Sequence, residues 1–127
     1  MSKTVDFSTQ LIIGGRPLPG SEGKTFETSN PAKGKVLASV AEASGEDVNK
    51  AVSAARKAFE EGHWSKMAPA ERKKVLLRFA TVIEAHAEEL AMMEAMEAGK
   101  PITDCLEIDM PETLNTIRWH AEALDTL

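Results

Sequence analysis

The sequence predicts an α/β fold in which two short β-hairpins precede three to four amphipathic helices. Two observations predict the hairpins: a Gly-Gly pair at residues 14–15 and the turn-forming sequence NPAKG at residues 30–34 each lie between short apolar runs. The third observation is the spacing of apolar residues, which follows a helical period from Ser44 to Leu124. Because two small hairpins cannot cover all these helices, the segment is predicted to leave apolar surface for a sheet formed by later residues.

The two turns define the predicted strands. Both residues of the Gly-Gly pair can adopt positive φ, which a two-residue hairpin turn requires. Pro17 cannot donate a ladder hydrogen bond, so its strand is expected at an edge. The hairpins pair the segments that flank the turns, namely residues 11–13 with 16–18 and residues 25–28 with 36–40. The polar residues 1–10 are expected to form a tail before them.

The first helix is predicted to begin after Ser44, which lies three residues before Asp47 as in a capping box, and to end at Gly62. Its apolar residues fall on one face: Val48, Ala51, Val52, Ala55, Ala58 and Phe59. This spacing is typical of a helix that packs along one side.

The second helical stretch is expected to start at Pro69, which a first helical turn tolerates, and to finish near Ala98. A stretch of that length predicts a break near residues 84–87. A third helical region follows, with Thr103 and Asp104 as its predicted caps. Its later apolar residues continue beyond a proline that should break or restart the helix, Pro111.

Composition excludes several classes of function. The chain has 15 basic and 20 acidic residues and a net charge of −5, so it has no electrostatic reason to bind nucleic acid or an anionic membrane. No apolar run is long enough for a signal peptide or a bilayer span. Since a single cysteine cannot form an internal disulfide, the cytoplasm is the expected compartment.

Several short motifs, taken in order, resemble the NAD(P)-dependent aldehyde dehydrogenase family. Residues 26–34 (FETSNPAKG) are similar to its F-x-T-x-N-P-x-x-G segment, and residues 47–64 resemble its first helix. Residues 94–101 (EAMEAGKP) are similar to its E-x-x-x-x-G-K-P segment. The resemblance covers residues 11–127 and looks closest to enzymes that oxidise γ-glutamyl-γ-aminobutyraldehyde and related ω-amino aldehydes.

The resemblance implies a specific chemistry and fold. Family members oxidise aldehydes to carboxylic acids with NAD or NADP. A cysteine thiolate forms a thiohemiacetal, hydride transfer gives a thioester, and a glutamate-activated water hydrolyses it. The helices of this segment would then pack on the Rossmann-like sheet of the cofactor-binding domain. The intact protein would be a homodimer or homotetramer that binds a small aldehyde.

None of the family's catalytic or cofactor-contacting groups is identified in this chain, because by resemblance all of them come after the position of Leu127. The segment alone is therefore expected to be inactive, and the cofactor would be bound by later residues. The alternative is a helical interaction module that is derived from this family and has no catalytic role. Sequence downstream containing a G-Q-x-C motif would distinguish the two.

The resemblance also suggests one metal site. Many family members bind a structural cation, monovalent or divalent, between the Thr of T-x-N-P and an acid before G-K-P. By position these residues are Thr28 and Glu97, with the Ser29 carbonyl as a further ligand. Oxygen ligands suit a hard cation. The family acid is often Asp, so the longer Glu97 departs from the pattern, and an exposed surface acid is the competing interpretation.

The other chemically reactive residues are predicted to be structural. Cys105 is the only thiol, lies in the wrong segment for the family nucleophile, and has no histidine near it in sequence. The histidines lack metal-ligand spacing and are expected on the surface or at helix ends: His63, His86 and His120.

Overall fold

The computed structural model describes residues 7–126. These residues form two compact units, residues 7–65 and residues 66–126. The first unit holds both hairpins and one helix, and the second unit is entirely helical. The segment thus follows the order of elements that the sequence predicts, hairpins before helices.

The first unit begins with two antiparallel hairpins. Gly14 and Gly15 adopt φ of 59° and 76°, which confirms the predicted Gly-Gly turn. The strands are β1 (Leu11–Ile13), β2 (Arg16–Leu18), β3 (Thr25–Asn30) and β4 (Lys35–Ala41). Over the part of the chain that the structure describes, each sheet has two strands, so Pro17 lies on an edge as predicted.

A side chain closes the second hairpin. The Asn30 carbonyl oxygen Oδ1 accepts hydrogen bonds from the backbone N–H groups of Ala32 and Lys33, at 2.9 and 3.1 Å. Asn30 is buried, and Gly34 completes the turn with a φ of 61°. Asparagine therefore fixes this turn by bonding to the backbone that follows it.

The helix of the first unit, α1, spans Gly45–Glu61 and has the predicted caps. The Ser44 hydroxyl accepts a hydrogen bond from the Asp47 backbone N–H, and the Asp47 carboxylate accepts one from the Ser44 backbone N–H. Gly62 ends the helix in the left-handed conformation, with a φ of 80°. Both ends of α1 are thus set by residues that lie close in sequence.

The second unit contains four further α-helices and one π-helical turn. They are α2 (Pro69–Ala85), α3 (Ala87–Ala98), α4 (Ile102–Asp104), the π-helical turn (Cys105–Asp109) and α5 (Met110–Ala123). The predicted break in the long helical stretch is confirmed, because α2 ends at Ala85 and α3 begins at Ala87. Gly99 ends α3 with a φ of 71°.

The predicted cap of the third helical region is wrong. Pro101 precedes the helix, which begins at Ile102, so Thr103 and Asp104 lie inside it and make no side-chain cap. Pro101 is the N-cap residue, and its non-helical backbone, with a ψ of 133°, directly precedes the first helical residue. Pro111 lies in the first turn of α5, directly after the π-helical turn, and the helix restarts there.

Few of the large apolar side chains in the described residues are buried. Among the described residues, the largest fully buried side chain is that of Cys105, and the buried apolar residues are Ala80, Ala91, Cys105, Met110, Leu114 and Ala121. Within residues 7–126, fifteen large apolar residues are exposed, among them Phe59, Phe79 and Trp119. The prediction that the segment leaves apolar surface uncovered is confirmed for the described residues. Over the same residues, no helix is both long and apolar enough to cross a membrane.

Candidate functional site

The second unit brings one thiol and two carboxylates together around the π-helical turn. Glu94 lies on α3, and Cys105 and Asp109 lie four residues apart on the turn. Gly99 and Pro101 reverse the chain between these elements, so that α3 packs against the turn. Sγ of Cys105 and one carboxylate oxygen from each acid all lie within 4.8 Å of one another.

A lysine completes this cluster. The Lys100 ammonium donates a hydrogen bond to the Asp109 carboxylate oxygen Oδ2, and this contact raises the pKa of Lys100. The thiol and the two carboxylates are of types that can bind a metal ion. Lys100, however, already supplies a positive charge beside Asp109. We define the thiol cluster as Glu94, Lys100, Cys105 and Asp109.

The surroundings of Cys105 do not activate a nucleophile. Its side chain is fully buried against Ala91 and Met110. Burial is the main cause that raises the pKa of the thiol, and the negative charges of Glu94 and Asp109 raise it further. Catalytic cysteines need the opposite, a lowered pKa and access to substrate. These features favour the structural interpretation of Cys105.

An open groove with a volume of about 480 Å³ adjoins the thiol cluster. Its polar lining is dominated by carboxylates and hydroxyls, from Glu94, Asp109, Glu112, Thr113 and Thr116. The groove presents negative charge to solvent, and the thiol lies behind it, fully buried. The arrangement therefore resembles a charged surface over a packed core more than a substrate cleft.

The first unit has its own polar cluster, at the N-terminus of α1. The Asp47 oxygen Oδ2 accepts hydrogen bonds from the backbone N–H and hydroxyl of Ser21, at 3.0 and 2.9 Å, and from the same two groups of Ser44, both at 3.0 Å. These donors, led by the backbone N–H of Ser21, hold the pKa of Asp47 well below its ordinary value. We define the carboxylate cluster as Ser21, Ser44 and Asp47.

Gly20 positions Ser21 for this role. A Cβ at Gly20 would lie 2.5 Å from the backbone oxygen of Glu42, so only glycine allows this close approach. The Ser44–Asp47 pair was predicted from its spacing, whereas the contribution of Ser21 was not. Ser21 is 26 residues from Asp47, and no sequence pattern links the two.

The residues of the predicted cation site lie in different units. Thr28 is half-buried in β3, where the register of the hairpin shifts between Thr28 and Ser29. Glu97 is exposed in the last turn of α3. A cation shared by Thr28 and Glu97 stays a prediction. His63, His86 and His120 are all exposed, as expected.

The described residues do not fit the pyrophosphate of a dinucleotide. Such a group binds where a Gly-rich turn leads from a strand into the N-terminus of a helix. The N-terminus of α1 already carries the Asp47 carboxylate, which would repel a phosphate. Within residues 7–126, the glycines with positive φ lie in hairpin turns, in a loop or at helix C-termini: Gly14, Gly15, Gly23, Gly34, Gly62 and Gly99.

Comparison with known proteins gives a consistent match. The sequence profile of the aldehyde dehydrogenase family matches residues 18–127. The aminoacetaldehyde dehydrogenase of Pseudomonas aeruginosa is 47% identical over 127 residues, which is 100% of this chain and 26% of that protein. The NADP/NAD-dependent aldehyde dehydrogenase PuuC of Escherichia coli is 46% identical over 116 residues, 91% of this chain and 23% of that protein.

A solved structure agrees with this match. The γ-glutamyl-γ-aminobutyraldehyde dehydrogenase of Burkholderia cenocepacia superposes with a TM-score of 0.94 at 40% identity, over 98% of this chain and 25% of that one. The chain thus spans about a quarter of the length of the relatives it matches. Since the family profile matches most of its residues, the chain belongs to the aldehyde dehydrogenase family.

Proposed function

We propose that residues 11–127 form the N-terminal part of the cofactor-binding domain of an aldehyde dehydrogenase, after a polar tail at residues 1–10. The observation that carries the proposal is the coverage: all of this chain matches 26% of a relative at 47% identity. The described residues supply neither an activated nucleophile nor a dinucleotide site, so the chemistry would be done elsewhere in the enzyme. Most of the tail lies outside the described residues.

The role of the segment in this proposal is to cover one side of a Rossmann-like sheet and to help frame the cleft. The apolar residues left exposed on α1 and α2 support it, because helices of α/β enzymes bury such faces against a sheet. In isolation, the segment would not reduce NAD or NADP with any aldehyde. Turnover by purified chain that is abolished by alkylating Cys105 would contradict this expectation.

The whole protein, in the same proposal, oxidises an aldehyde to a carboxylic acid with NAD or NADP. The relatives named for aminoacetaldehyde and for γ-glutamyl-γ-aminobutyraldehyde support an ω-amino aldehyde as substrate. The one named NADP/NAD-dependent supports either cofactor. We place the intact enzyme in the cytoplasm as a homodimer or homotetramer.

A chimeric enzyme tests this function. Residues 1–127 would replace the matching segment of the Pseudomonas aeruginosa aminoacetaldehyde dehydrogenase, and NADH or NADPH formation with amino aldehydes would be measured. We expect a folded chimera with activity within about tenfold of the unaltered relative, a difference of about 1.4 kcal/mol in barrier. A chimera that does not fold, or that folds without activity, would contradict the proposal.

The cation site is a second part of the proposal. A hydroxyl at Thr28 and a carboxylate at Glu97 offer the oxygen ligands that a hard cation prefers. We expect Glu97→Gln in the chimera to lower the content of bound cation measured by elemental analysis, and Glu112→Gln, on an exposed helical position, to leave it unchanged. Equal cation content in both variants would remove Glu97 as a ligand.

A further inference from the structure

We draw no further inference here: the strongest candidate, the thiol cluster beside the open groove of the second unit, is a pair of carboxylates next to one buried cysteine in which Lys100 already balances the charge of Asp109, and nothing within residues 7–126 shows a ligand that it would bind.

Discussion

The carboxylate cluster of the first unit and the thiol cluster of the second unit treat charge in opposite ways. At Asp47, neutral donors from Ser21 and Ser44 surround one carboxylate oxygen and lower its pKa. At Cys105, burial and two neighbouring carboxylates surround one thiol and raise its pKa. The first environment stabilises a charged form, and the second suppresses one.

This difference shows that each cluster is complete within its own unit, although the apolar faces around it are not. Asp47 has its donors, and Lys100 balances the acid beside Cys105. Buried polar groups that already have hydrogen-bond partners within the protein do not need a ligand to supply them. Each cluster therefore stabilises its own unit, and the features that indicate a missing partner are the uncovered apolar faces of α1 and α2.

The largest expected effect concerns the thiol. Alkylation of Cys105 in the folded chimera should be about 100-fold slower than in the unfolded protein, because the thiol is buried and reactivity requires an accessible thiolate. Peptide mass mapping after timed exposure to iodoacetamide gives the rate at this residue. Equal rates in folded and unfolded protein would show that Cys105 is exposed and reactive, contrary to its burial.

The next effect concerns the lysine of the thiol cluster. Lys100→Met leaves Glu94 and Asp109 as neighbouring carboxylates without a cation and should clearly lower the urea midpoint of the chimera. Lys74→Met is the matched control, because Lys74 forms an exposed ion pair with Glu71 that contributes little. If both variants shifted the urea midpoint equally, the ion pair between Lys100 and Asp109 would contribute no more to stability than an exposed one.

The carboxylate cluster should give stability that depends on pH. Because the pKa of Asp47 is lowered in the folded chain, its contribution is present above the ordinary value of 3.8 and is lost as the pH falls below it. Asp47→Asn should therefore flatten the fall in stability of the chimera between about pH 5 and about pH 3. Glu42→Gln, at an exposed position, should leave the slope unchanged. Parallel slopes for all three proteins would contradict the role of Asp47.

The smallest effect is that of the serine cap. Ser44→Ala removes the side-chain bond to the Asp47 backbone N–H and should cost about 1 kcal/mol of unfolding free energy in the chimera. Ser53→Ala, in the middle of the same helix, should be neutral or slightly stabilising, because alanine favours helix interiors. Chemical denaturation of the chimera measures both. A neutral Ser44→Ala would show that the cap does not hold the start of α1.

Sequence predicted the features whose two partners lie close together in the chain. The Gly-Gly turn, the Ser44–Asp47 capping box and the Gly62 helix end all depend on residues within a few positions. The contacts it missed join more distant residues, such as Ser21 with Asp47 across 26 positions. Such contacts depend on how a loop folds back, and a single sequence contains no periodic signal for that.

The thiol cluster shows the same limit. The spacing of Cys105 and Asp109 is helical and visible in the sequence, but Glu94 and Lys100 precede the reversal at Pro101. The π-helical turn that aligns Cys105 with Asp109 has no signature in the residue pattern. The prediction that Thr103 and Asp104 cap the third helical region failed for a related reason. Residues of cap-forming types also occur inside helices, and here Pro101 already occupies the N-cap position.

The most direct test measures whether the segment can fold by itself. Residues 1–127 would be expressed alone, and thermal unfolding, molecular mass in solution and binding of a hydrophobic dye would be recorded. Because the apolar faces of α1 and α2 lack a partner, at a cost of about 25 cal/mol per Å² left exposed, we expect a broad transition, dye binding or self-association. A sharp cooperative transition from a monomer that binds no dye would contradict this and would favour an independent interaction module.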